Sequence, residues 1–289
     1  MTTPTATAPR RVPARTGALL RALPTGRLAR SLVGVVLVLI ASSSVQVSAV
    51  LAHTLFDRVD PLGVSGVRFA LAAAAMLALA RPRLRGRARR EWLLIALYGL
   101  SIAAMNVFMY RSLAHLPLGV AITMEFLGPF AVAVLAARRP RQAVFAVLGL
   151  VGVVMIARPS AGFDPVGLVF GGLAAVSLAS YLLLAERVSR RGGGMQELAL
   201  AFGVAALATA PFSVAAFGDL VWLDVPVLAV SALLGVVLAF TADFLAVRVT
   251  GARTVAVLLS LDPVLAAVIG AVALGDALDT LTLGGMVCV

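Results

Sequence analysis

The sequence predicts an all-α membrane protein with ten transmembrane helices, arranged as two inverted five-helix repeats. Hydrophobic residues make up 61% of the 289-residue chain and charged residues only 13%, against about 45–50% and about 25% in soluble domains. Long apolar runs such as 32–40 and 71–80 lack the alternation of membrane barrel strands. Helices are the other structure that spans a bilayer, so the apolar excess predicts membrane helices.

Apolar runs alternate with short polar breaks from residue 31 onward, and a spanning helix needs about 20 residues. Residues 1–30 are rich in Thr, Pro, Ala and Arg without apolar periodicity, and we expect a disordered cytoplasmic tail there. The last run is short and no charged tail follows it, so we expect the natural chain to continue beyond Val289. The predicted spans are 32–51, 62–80, 92–113, 116–137, 142–157, 165–185, 198–217, 226–247, 254–275 and 278–289.

The arginines predict the orientation of these spans. With a cytoplasmic N-terminus, only Arg58 and Arg158 of the 24 basic residues fall in outer loops, and only Arg68 and Arg111 fall within spans. An excess of basic residues in cytoplasmic segments is typical of membrane proteins. We therefore attribute the net charge of +11 to topology and expect no nucleic-acid partner. The predicted location is a bacterial-type inner membrane, with several spans and both termini in the cytoplasm.

An internal repeat divides the chain into two halves. Pro129 and Pro263 are 134 positions apart, and both lie deep inside spans, where a proline costs a backbone hydrogen bond. They belong to the fourth and ninth spans, so the repeat has five helices, an odd number that inverts one half relative to the other. We expect repeats at 31–157 and 158–289, an architecture typical of transporters with a substrate site near the midplane. The other matched pairs are Leu127 with Leu261, Ala133 with Ala267, Val134 with Val268 and Ala137 with Ala271.

Signatures of several other function classes are absent from the sequence. Cys288 is the single cysteine, and no CxxC, HExxH, P-loop or GxSxG pattern occurs, so we expect no metal, no cofactor and no enzyme activity. A membrane enzyme acting on lipid would need a metal-binding acid pair or a nucleophile with a histidine. A non-transporting scaffold would not need acidic residues inside its spans.

The fourth span resembles a known family. The stretch from Pro117 to Val134, which contains Glu125 and Pro129, is similar to the threonine/homoserine exporters of the EamA branch of the drug/metabolite transporter superfamily. The resemblance covers about residues 31–289. Further matching pieces are Ser44-Val-Gln46 in the first span, Gly66-Val-Arg68 in the second, Met105-Asn106 in the third and Ser260-Leu-Asp262-Pro263 in the ninth.

The resemblance implies ten helices in two inverted repeats and export of small amino acids driven by the proton gradient. It implies a small-molecule substrate, protons and the lipid bilayer as partners, and leaves the oligomeric state open. The chain departs from the family pattern at several positions. Aspartate replaces the expected glutamate three times, His53 replaces a lysine and Arg111 replaces an apolar residue; the three aspartates are Asp243, Asp262 and Asp276.

Three acids inside predicted spans are the candidates for proton coupling: Glu125, Asp262 and Asp243. Glu125 lies mid-span, where an ionised side chain costs at least ~2.5–3.5 kcal/mol and needs a cavity or a partner. Asp262 directly precedes Pro263, and this proline leaves a nearby backbone carbonyl without its helical hydrogen bond. Pro129 and Pro263 are the predicted helix-kink residues. Groups that can take up and release a proton at this depth suit a proton-coupled carrier.

Each acid also has a structural interpretation. Glu125 could form a salt bridge with Arg68 or Arg111 of other spans. Asp262 could hydrogen-bond to neighbouring helices around a packing kink. Asp243 lies near the cytoplasmic end of its span and could pair with an arginine that follows that span.

Five further polar residues are candidates for binding substrate: Gln46, Arg68, Asn106, Tyr110 and Tyr181. Arg68 could bind a substrate carboxylate or extend to the membrane surface along its apolar stem. The other four could line a path, or join helices through hydrogen bonds worth about 0.6 kcal/mol each. We expect a secondary transporter that exports small amino acids or related metabolites in exchange for protons; the alternative is a carrier for another small solute.

Overall fold

The described part of the chain is a bundle of helices. The computed structural model describes residues 26–116, 118–135, 144, 147–148, 150–152, 154–155, 164–191, 194–262, 264–265, 268 and 283–284. Within these residues there are helices and no strand, which confirms the all-helical prediction at this coarse level.

The helices of the described part are α1 Arg27–His53, α2 Pro61–Ala80, α3 Arg89–Leu113, α4 Leu118–Leu135, α5 Pro165–Arg190, α6 Met195–Ala216, α7 Trp222–Thr250 and α8 Ala252–Leu258. Six of them are long and apolar enough to cross a membrane: α1, α2, α3, α5, α6 and α7. The helix α4 is apolar but shorter, and α8 has 7 residues. Within α7, a 3-10 turn (Trp222–Asp224) and an α-helix (Val225–Ala232) lead through a π-helix (Leu233–Leu238) into a second α-helix (Ala239–Thr250).

Several helices extend beyond the apolar runs that predicted them. The first begins at Arg27, inside the segment 1–30 predicted to be a disordered tail. The helix α5 continues to Arg190, five residues past the predicted edge at 185. Arginine is a good helix former, and basic side chains are favourable near a helix C-terminus, so the helix does not stop where the apolar residues stop.

The predicted fifth, ninth and tenth spans are described only in part. The described residues between 144 and 155, in the predicted fifth span, are helical, as are residues 283 and 284 in the predicted tenth. Pro263, the second predicted kink residue, and Asp276 lie outside the described residues. The count of ten helices therefore stays a prediction.

Arginine-rich helix ends gather at one end of the bundle, which we call the basic end. Arg87, just before α3, pairs with Glu197 in the first turn of α6 through Nη1 and Oε1 at 2.8 Å. Near the start of α1, Gly34 packs against Thr250, the last residue of α7. The starts of α1, α3 and α6 therefore lie together with the ends of α2, α5 and α7.

The opposite end of the bundle carries two acid–base pairs. Arg58, after α1, donates to Asp224 at the start of α7 at 2.8 Å. Asp164 caps α5 by accepting the amide of Val166 at 2.9 Å, and its carboxylate contacts His115 Nδ1 at 2.8 Å. The hydrogen bond from the Val166 amide, followed by the bond to His115, lowers the pKa of Asp164 below its ordinary value.

Small residues allow the helices to approach each other closely. A Cβ atom added to Gly128 of α4 would lie 2.8 Å from the carbonyl carbon of Ala175 in α5, and closer still to its oxygen. A Cβ added to Gly66 of α2 would lie 3.0 Å from the carbonyl oxygen of Thr209 in α6. Helices in lipid associate through such close packing, and here it fixes α4 against α5 and α2 against α6.

Candidate functional site

The three predicted proton-coupling acids lie close to one another inside the bundle. Glu125 on α4 and Asp243 on α7 both interact electrostatically with Asp262, which follows α8. Asp262 also accepts a hydrogen bond from the hydroxyl of Ser42 on α1. Three helices and the segment after a fourth therefore bring three carboxyl groups and one hydroxyl together.

The acids are surrounded by protein but are not closely packed. Glu125, Asp243 and Asp262 lie deep among the helices, yet each keeps part of its surface accessible. This is the environment in which an intramembrane acid can meet a proton, water or a solute.

Arg68 lies on the side of this group toward the end opposite the basic end. Its guanidinium and Glu125 both interact electrostatically with the hydroxyl of Tyr110, which links Arg68 to the acid group. Arg68 Nη2 donates to the hydroxyl of Ser48 at 2.5 Å and to the carbonyl of Ser231 at 3.5 Å. Among the described residues Arg68 has no carboxylate in an ion pair, so the Glu125–Arg68 salt bridge considered above is absent.

The local shape of α7 makes room for the guanidinium. Gly235 lies in the π-helix of α7, and a Cβ there would lie 2.6 Å from Ser48 Cβ and closer still to Arg68 Nη2. The Ser48 hydroxyl donates to the Ser231 carbonyl at 2.8 Å. Turns of π-helix often occur at functional sites, and this one lies directly against the guanidinium of Arg68. The Nε atom of Arg68 is buried without a hydrogen bond to any described residue.

Aromatic side chains close the other side of the acid group, toward the basic end. Tyr98 on α3 and Tyr181 on α5 stack with ring centroids 5.7 Å apart, and Phe240 of α7 packs edge-on against Tyr181 at 5.5 Å. Phe244 contacts Tyr98 at 6.4 Å. The two tyrosine hydroxyls and Asp243 interact with one another electrostatically. Within the described residues, however, hydrogen bonds of normal geometry are absent from three of their oxygens: Tyr98 Oη, Tyr181 Oη and Asp243 Oδ1.

The other predicted site residues are placed as follows. Asn106 donates to the Ile102 carbonyl of its own helix at 3.3 Å and accepts from Ser65 at 3.5 Å, which joins α3 to α2. Gln46 is half-buried on α1. Pro129 is buried inside α4, one turn after Glu125. Arg111 is exposed near the end of α3, outside the acid group.

Four polar residues of this site were not predicted as site residues. Tyr98, Ser42, Ser48 and Ser231 contact the predicted residues across helix interfaces. Serines in apolar spans usually serve close helix packing, and a single tyrosine in an apolar run is usually a core residue. Only the pairing of helices identifies these four.

The arrangement can bind charge of both signs. Carboxylates can accept protons or bind a cation, and a guanidinium presents a planar pair of donors that matches a carboxylate. Within the part of the chain that is described, no three His, Cys, Asp or Glu side chains are placed to hold a metal ion. The site therefore suits a small molecule carrying a cationic and an anionic group.

Known proteins similar to this chain are membrane transporters. The threonine/homoserine exporter RhtA of Salmonella typhimurium (strain SL1344) is 33% identical over 249 residues, 84% of each chain. RhtA of Escherichia coli (strain K12) is 32% identical over 254 residues, 86% of each chain. One crystal structure shares the fold, with a TM-score of 0.70 at 22% identity, covering 91% of this chain and 96% of that one.

A family description covers nearly the whole of both predicted halves. It is the EamA-like transporter family, and it matches residues 32–158 and 165–289 separately. Together with six apolar helices of spanning length, the match identifies a membrane protein with several spans. This chain belongs to the EamA-like transporter family.

Proposed function

We propose that this protein exports small amino acids of the threonine and homoserine type across the inner membrane, in exchange for protons. The substrate class follows the names of the two exporters that it resembles. One structural observation carries the proposal: three carboxyl groups lie deep in the bundle, and the hydroxyl of Tyr110 interacts both with one of them, Glu125, and with the guanidinium of Arg68.

A zwitterionic amino acid matches this distribution of charge. Its carboxylate can pair with the guanidinium of Arg68, whose present partners are the Ser48 hydroxyl and the Ser231 carbonyl. Its ammonium group can approach Glu125, which interacts with the same tyrosine hydroxyl as Arg68, or Asp262 beside it. A solute without any anionic group would leave the guanidinium of Arg68 without an anion to bind.

The same acids can couple export to protons. An isolated ionised carboxyl group inside a membrane is costly, so a proton or a substrate ammonium must accompany Glu125. If the two compete for one site, release of substrate on the outside permits uptake of a proton there. The proton then leaves on the cytoplasmic side, where new substrate takes its place. This cycle gives exchange without ATP, and Asp262 and Asp243 extend the path for the proton.

The pattern of helix contacts supports two inverted five-helix repeats. Exchanging the halves relates α1 to α5, α2 to α6 and α3 to α7. The packing of α3 against α5 then corresponds to that of α7 against α1, and the packing of α3 against α6 to that of α7 against α2. The helix pair α2–α6 maps onto itself. The gathering of arginines at the basic end supports a cytoplasmic position for that end and for both termini.

A carrier for another small solute is the second candidate. Two replacements favour a solute that differs from threonine: His53 for the expected lysine, and Arg111 for an apolar residue. Both change the charge at the end opposite the basic end, where the solute would leave. Arg111 and His53 are both exposed. A panel of neutral, basic and acidic amino acids tested for uptake separates the two candidates.

Transport by purified protein in liposomes tests the proposal. With an acidic lumen, wild type should accumulate threonine or homoserine as protons leave, and Glu125→Gln should lose this accumulation because glutamine cannot titrate. Asp219→Asn, a change of the same kind in an exposed loop, is the matched control and should behave as wild type. Accumulation by Glu125→Gln with the wild-type dependence on the pH gradient would contradict the role of Glu125. Failure of wild type to move any amino acid would contradict the substrate class.

A further inference from the structure

A cavity of about 380 Å³ opens at the basic end, between the ends of α5 and α7 and the start of α8. Its charged lining consists of Arg190, Arg248, Arg253 and Glu186. It lies at the end of the bundle away from Arg68 and belongs to a different surface from the acid group. The proposed transport cycle makes no use of it.

Positive charge predominates in this cavity. Glu186 accepts two hydrogen bonds from Arg190, from Nη2 at 2.9 Å and from Nε at 3.1 Å. This pair of residues one turn apart on α5 compensates for one arginine. Arg248 and Arg253 add two further guanidinium groups to the same lining, so three of the described lining residues are cationic and one is anionic.

The turn between α7 and α8 brings the two arginines to one cavity. Gly251 has a φ of +88°, a backbone conformation that glycine adopts readily and other residues rarely do. A Cβ at this position would lie 3.4 Å from Glu186 Oε1, so the turn passes directly against the end of α5. Arg248 and Arg253, on either side of the turn, therefore share one wall with the Arg190–Glu186 pair.

Hydroxyl groups complete a lining suited to a phosphate. Ser189, Thr250 and Thr254 border the cavity, although Thr250 and Thr254 donate to backbone carbonyls at 2.9 Å and 3.1 Å. Guanidinium groups bind phosphate oxygens through paired hydrogen bonds. The ends of membrane-spanning helices lie at the depth of lipid headgroups, and basic pockets there bind anionic headgroups.

We propose that this cavity binds a phosphate group, supplied by the headgroup of an anionic phospholipid of the cytoplasmic leaflet. The lipid would hold the end of α5 against the turn that joins α7 to α8. The same chemistry would accept free inorganic phosphate, so the test separates the two sources. The proposal is independent of the transported solute.

Native mass spectrometry of the full chain, released from bilayer discs of mixed lipid, measures the binding. We expect wild type to retain phosphatidylglycerol in preference to phosphatidylcholine. Arg248→Gln with Arg253→Gln should weaken that retention about 30-fold, because both guanidinium groups line the cavity that holds the headgroup phosphate. The matched control is Arg187→Gln with Arg191→Gln, which removes the same charge from two exposed residues of the same end. Neither of these two lines the cavity, so their loss should change retention less than about threefold.

Glu186→Gln gives a test of opposite sign. It removes the one anion among the described lining residues, so retention of phosphatidylglycerol should become tighter. This variant decides the question if the double arginine variant does not fold. If added inorganic phosphate displaces the lipid, and its own binding depends on the same two arginines, the site is a phosphate site filled from solution and the lipid source is wrong. Equal retention by the double variant and its control, or no gain in Glu186→Gln, would overturn the proposal.

Discussion

Gly128→Ala is the change that tests most directly how the acid group is held in place. The added Cβ would lie 2.8 Å from the carbonyl carbon of Ala175 and 3.2 Å from its Cα, both backbone atoms, where ordinary contact begins at 3.4 Å. The helices α4 and α5 would have to separate by more than about half an ångström, and overpacking of this kind costs about 1–3 kcal/mol. We expect the unfolding temperature to fall by several degrees, at about 2–4 °C per kcal/mol.

The assay is thermal unfolding of the purified chain in detergent, followed by size-exclusion chromatography. Gly172→Ala is the matched control, because it makes the same substitution within α5 where no atom lies within 4 Å of the new Cβ. It should be neutral or stabilising by up to about 1 kcal/mol, the amount by which glycine disfavours a helix. Since Glu125 lies one turn before Gly128, the first variant should also slow transport. Equal unfolding temperatures for the two variants would refute the close contact of α4 with α5.

Three further predictions concern other parts of the structure. Arg68→Gln removes one charge-assisted pairing worth about 1.5–3 kcal/mol, so the KM for a zwitterionic substrate should rise about 10- to 100-fold in a liposome uptake assay; an unchanged KM would exclude Arg68 from the binding site. Tyr98→Phe or Tyr181→Phe removes a buried hydroxyl that has no hydrogen bond of normal geometry within the described residues, so the unfolding temperature should hold or rise while transport slows; a fall of several degrees would show that the hydroxyl is hydrogen-bonded. The pKa of Asp164 is lowered by the first amides of α5 and by His115, so its charged form stabilises the fold above the ordinary value of 3.8 and that contribution is lost as pH falls through the lowered pKa; the unfolding temperature of Asp164→Asn should therefore lie below that of wild type at neutral pH and converge with it in acid.

Helix positions could be predicted from the sequence because every span needs about 20 predominantly apolar residues to cross the bilayer. The predicted 62–80 corresponds to Pro61–Ala80 and the predicted 92–113 to Arg89–Leu113. The predicted edges differ most where charged residues extend a helix past its apolar run, as at Arg27. The π-helix at Leu233–Leu238 was not predicted, because a uniformly apolar stretch gives no sign of a change in hydrogen-bond register.

The acids of the site were predictable because they interrupt apolar spans. A charged residue within an apolar run is costly unless it has a function or a partner, so Glu125, Asp243 and Asp262 are conspicuous in the sequence. Their mutual proximity is a property of helix packing, which no single span contains. Tyr98 was missed because a tyrosine in an apolar run is also an ordinary core residue, and its stacking on Tyr181 joins residues far apart in sequence.

Proton movement driven by substrate is the most direct test of the central claim that export is coupled to protons through Glu125. Liposomes containing the wild-type protein, threonine and a pH-sensitive dye are diluted into threonine-free buffer of the same pH. As threonine leaves down its gradient, protons should enter and the lumen should become acidic, whereas Glu125→Gln should give no acidification. Threonine efflux from wild-type liposomes without any change in luminal pH would contradict the account.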